Sequence, residues 1–87
     1  MDVQEVRARL GLVDEALARF EPRDPTPRQI AGIFNALLTE ARAARPDDVL
    51  LEGIEPIEAP AGHEAPRVGA VRGLIAQIEH SLARPAP

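Results

Sequence analysis

The chain has 87 residues, no cysteine and a formal net charge of −4, so it can build one small core with neither a disulfide nor a thiolate metal site to reinforce it. A pI near 5.1, with no lysine, tyrosine or tryptophan, counts against a nucleic-acid partner, because phosphate contacts need cations and bases stack on aromatic rings. No apolar run approaches a membrane span, and the first residues are acidic and polar rather than basic and then apolar; the expectation is a cytoplasmic protein without a membrane partner.

Apolar residues recur at spacings of three and four in three stretches, and side chains so spaced share one face of an α-helix. In the first, Val3, Val6, Leu10, Val13, Leu17 and Phe20 form the seam of a helix over about residues 2–20. Asp2 and Glu5 stand at capping-box spacing before it, and Pro22 follows its end. Leu12 falls on the opposite face, where it is either an ordinary exposed leucine or a contact residue.

The short, proline-stiffened link from Glu21 to Pro25 suits an antiparallel hairpin. Thr26, Pro27 and Gln29 then read as cap, first helical residue and capping-box partner of a second helix over about 27–45. Its seam is Ile30, Phe34, Leu37, Ala41 and Ala44, widened by Ile33 and Leu38, which predicts that it is the central, most buried helix. Arg42 and Arg45 in its last turn favour the negative end of the helix dipole, and Pro46 stops it.

Residues 46–65 form the connection to a third helix over about 66–84, whose seam is Val68, Val71, Ile75, Ile78 and Leu82. The stretch from Pro46 to Pro66 holds Asp47, Asp48, Glu52, Glu55, Glu58 and Glu64 and no arginine, so the net charge of the chain arises there. It is also apolar, through Val49, Leu50, Leu51, Ile54 and Ile57. Asp47 or Asp48 can cap a single turn through Leu51, Gly53 ends it, Pro56 forces extended backbone, and residues 59–65 read as a flexible linker. The segment is then a lid whose leucines and isoleucines cover the helices, or an acidic arm that docks on a basic surface. In the second case Asp47, Asp48, Leu50, Leu51, Glu52, Ile54, Glu55, Ile57 and Glu58 are the partner-binding residues, with Leu12 as an outlying contact.

These elements predict an all-α fold, a small three-helix bundle made of a helical hairpin and a third helix, spanning residues 1–84 and followed by an Ala/Pro tail at 85–87. Twenty extended residues reach about 66 Å, enough for either direction of the third helix, and up-down-up is the expected order.

Chemistry is sparse. Only Thr26, Thr39 and Ser81 carry aliphatic hydroxyls, no phosphate-binding glycine loop is present, and His63 and His80 lack the helical spacing of a ligand pair. The sequence therefore predicts a non-enzymatic protein-protein interaction or oligomerisation module, with no cofactor and no metal. Its partner would be a second copy in a homodimer or a basic protein surface. The alternatives are a small regulator of antitoxin or inhibitor type that occludes a larger basic partner, and a small-ligand binder or enzyme.

Overall fold

The computed structural model describes residues 1–58 and 65–85. The chain is all-α, with α1 (Val3–Leu17), α2 (Arg28–Ala44), α3 (Val49–Glu52) and α4 (Val68–Ala83), and no strand occurs among the described residues. The linker expected at 59–65 lies outside the described residues except for Ala65, as does the tail beyond Pro85.

Each long helix buries the stripe its spacing dictates: Val6, Leu10, Val13 and Leu17 from α1, Phe34, Leu37 and Ala41 from α2, and Val68, Val71, Ile75, Ile78 and Leu82 from α4. Leu51, Ile54 and Ile57 complete this core from the connecting segment. The helices are shorter than their apolar periodicity suggests. α1 stops at Leu17, where the Ala18 N–H turns back to Ala16 and Asp14, and Phe20 leaves the seam and is exposed. The central position also goes to a different helix. α1 packs against both α2 and α4, whereas α2 and α4 touch each other least. Ile33, expected to widen the α2 face, remains in solvent.

Two hydrogen-bond clusters fix the direction of α4. At one end of the molecule the Val68 N–H donates to Asp24 O at 2.8 Å and the Gly69 N–H to Pro22 O at 2.9 Å, so α4 starts against the link that precedes α2. At the other end Arg45, the residue that caps α2, donates from Nη2 to Leu82 O at 3.2 Å and Arg84 O at 2.7 Å, where α4 finishes. α2 and α4 therefore run parallel, both antiparallel to α1, and the expected up-down-up order is replaced by up-down-down. Returning to the starting end is what requires so long a connection.

Thr26 is part of the same correction. It does not cap α2, whose flanking residue is Pro27 and which has no side-chain cap. Instead the buried Thr26 hydroxyl donates to Pro66 O at 2.7 Å, and its N–H reaches the same oxygen at 3.0 Å. Asp2, by contrast, caps α1 as its position requires, accepting from the Glu5 N–H at 2.8 Å. Arg72 of α4 makes a two-pronged contact with Asp14 of α1, with distances of 2.8 and 3.3 Å, and that bond and charge hold the guanidinium above its ordinary pKa.

Candidate functional site

Residues 47–58 are placed by three polar side chains. The Asp48 carboxylate accepts from the N–H groups of Leu50 and Leu51, at 2.9 and 3.3 Å, which nucleates the single turn of α3; Gly53 ends it. Arg42 of α2 donates to the carbonyls of Leu51, Glu52 and Ile54. Asn35, two turns earlier on α2, donates to Ile57 O at 2.9 Å and accepts from the Ile57 N–H at 2.7 Å. The segment thus runs antiparallel to α2, and its short helix rests on both α2 and α4.

That placement divides the residues expected to bind a partner. Leu51, Ile54 and Ile57 are no more than 8% exposed and belong to the core, so they are not surface anchors. One turn of helix with Leu51 pointing inward must turn its neighbours outward. Leu50 is 51% exposed and Val49, which the sequence reading leaves off the contact surface, is 82% exposed. Asp47, Glu52, Glu55 and Glu58 face solvent, while Asp48 is half-buried and committed to its cap. Leu12 is exposed too, but it lies on α1, which makes no contact with α3.

Val49 and Leu50 border an open hollow of about 400 Å³ between the α2–α3 corner and the end of α4, with Ala44, Pro46 and Pro85 as its other apolar walls. Arg45, Arg84, Asp47 and Asp48 stand on the same rim. On its other side Leu50 borders a smaller hollow of about 290 Å³ along α4, formed with Ala76, Gln77 and His80. Leu50 is therefore an apolar ridge between two depressions.

The three aliphatic hydroxyls are each hydrogen-bonded or enclosed. Thr26 and Thr39 donate to backbone carbonyls, of Pro66 and Asn35 respectively, and the Ser81 hydroxyl is buried in the core without a polar partner. Among the described residues no three His, Asp or Glu side chains gather as a metal site; His63 lies outside them. Nor is any helix among them long and apolar enough to cross a membrane. Comparison with known protein families, characterised proteins and solved structures finds no significant match.

Sequence reasoning passes over Asn35 and reads Arg42 and Arg45 only as partners of the helix dipole. A lone amide on the broad apolar face of α2 is a signal that could have found Asn35, because a half-buried amide demands a partner. The two arginines look sufficient as dipole partners, and only the tertiary path of the chain shows that they bind other segments.

Proposed function

We propose that this protein is a non-enzymatic interaction or oligomerisation module: a three-helix bundle strapped by an acidic connection, whose contact surface is centred on α3. The observation that carries this reading is the split of α3 into a buried anchor, Leu51, and an exposed apolar pair, Val49 and Leu50, beside an open hollow. Large apolar side chains fixed on a rigid turn, next to a depression and ringed by charge, are the makings of an interface centre with a polar rim. The connection is then a lid that also presents a surface.

A second reading, a regulator that occludes a basic partner, draws on a different observation. Glu52, Glu55 and Glu58 are exposed along the same segment, and none of them is in an ion pair among the described residues. Such a row would steer a cationic surface toward the segment.

A photo-activated side chain placed at position 50, compared with the same group at the exposed Ile33 on α2, tests the module reading in cells of the native host. A discrete cross-linked species at position 50 alone supports it. Identical patterns at both positions, or none at either, would remove α3 as a contact surface.

A further inference from the structure

We propose that the face around Leu50 binds a second copy of this chain across a two-fold axis, with Asp47 of each copy opposite Arg84 of the other. The inference rests on the module reading and names its partner.

The shape of the face is the first argument. Leu50 separates the larger hollow, at the end of α4, from the smaller one along it. A ridge with a depression at its side is self-complementary: a half-turn carries the ridge of each molecule into the hollow of the other, as a closed two-fold contact requires.

Charge is the second, and it selects the occupant. The rim of the larger hollow holds two arginines and two aspartates, a local balance in a chain whose net charge is −4. Asp48 is occupied in capping α3, and Arg45 holds the carbonyls of Leu82 and Arg84. Asp47 and Arg84 are exposed and of opposite sign. A two-fold operation that brings one copy's arginine over the other's aspartate does so twice. A strongly basic partner would be drawn instead to Glu52, Glu55 and Glu58, and a strongly acidic one would be repelled by the chain as a whole. A second copy is the partner that a balanced patch on an acidic molecule fits.

The net charges of two such molecules repel at long range while the two Asp47–Arg84 pairs attract at short range, so salt acts on this contact in opposing ways and should change it far less than docking on a basic surface, which salt would loosen.

Charge exchange tests the proposal on the full chain, with sedimentation as the readout and a cooperative thermal melt as the control for folding. Asp47→Arg alone sets arginine against arginine at both contacts, and Arg84→Asp alone sets aspartate against aspartate; each is expected to weaken self-association at least tenfold. In a mixture of the two folded variants, the introduced arginine of the first faces the introduced aspartate of the second, while the native Arg84 of the first faces the native Asp47 of the second. Opposite charges then meet at both contacts, which should restore a dimer that contains one copy of each variant. Wild-type protein that dimerises with a strength unchanged in both variants uses another face, and the proposal is then wrong. Wild-type protein that stays monomeric at millimolar concentration also overturns it. In either case a position-specific cross-link from residue 50 to a different protein would leave the module reading standing.

Discussion

Asn35 holds Ile57 by both of its backbone polar groups, the side-chain amide donating to the carbonyl and accepting from the N–H as a neighbouring β-strand would. This pair pins the returning segment to the middle of α2, with the Ile57 side chain turned into the core. Asn35→Ala strips both groups of their partner at a half-buried site and should cost about 1–2 kcal/mol in denaturant titration. Asn35→Asp can still accept from the N–H, but its ionised carboxylate faces the Ile57 carbonyl. Asn35→Asp should therefore also be less stable than wild type in the same titration, because one hydrogen bond becomes a contact between two acceptors.

Thr26 separates the capping role suggested by sequence from the cross-link seen in the structure. As a helix cap it would be replaced well by aspartate. As a donor to the Pro66 carbonyl it cannot be, because an aspartate sets a second acceptor against the first. Thr26→Ser should be close to neutral, Thr26→Val should lose about 1 kcal/mol for the hydroxyl, and Thr26→Asp should be the worst of the three in thermal or chemical unfolding. Aspartate ranking above valine would restore the cap.

The helices and the short turn at 49–52 are legible in the sequence because they are local: spacing sets the stripe, and Asp48 and Gly53 bound the turn. The direction of α4 is not, because it depends on hydrogen bonds between residues some forty positions apart, as between Thr26 and Pro66, and no local pattern encodes such a pairing. The same limit divides the contact residues. Leu50 and Leu51 are chemically identical neighbours, and only the docking of α3 on α2 and α4 sends one to solvent and the other to the core.

Those two leucines should respond in opposite ways. Leu51→Ala removes a fully buried side chain and is expected to lower stability by about 2–5 kcal/mol, while Leu50→Ala should stay within about 0.5 kcal/mol. Leu50→Ala should instead weaken association, which sedimentation at matched concentrations will read. Equal loss of stability in the two variants would mean that α3 is not held as described.

The glycines give a check on packing that is independent of function. Nothing lies within 4 Å of a β-carbon built at Gly32 or Gly73, so alanine there should stabilise the helices by about 0.5–1 kcal/mol each. At Gly69 the added atom would meet the Pro22 β-carbon at 3.1 Å and its carbonyl oxygen at 3.3 Å, against a loop already fixed by the Gly69 N–H. Gly69→Ala should lose that gain and destabilise the fold in the same melts.

Amide chemical shifts, followed as the isotope-labelled protein is diluted from millimolar to micromolar concentration, will show whether the exposed face of α3 and the end of α4 form the contact surface. If this face binds a second copy, the concentration-dependent shifts are confined to residues 45–50, to the outer face of α4 around Gln77 and His80, and to Arg84. Shifts that instead cluster around Leu12 or Ile33, or spectra that do not change across the range, would contradict it.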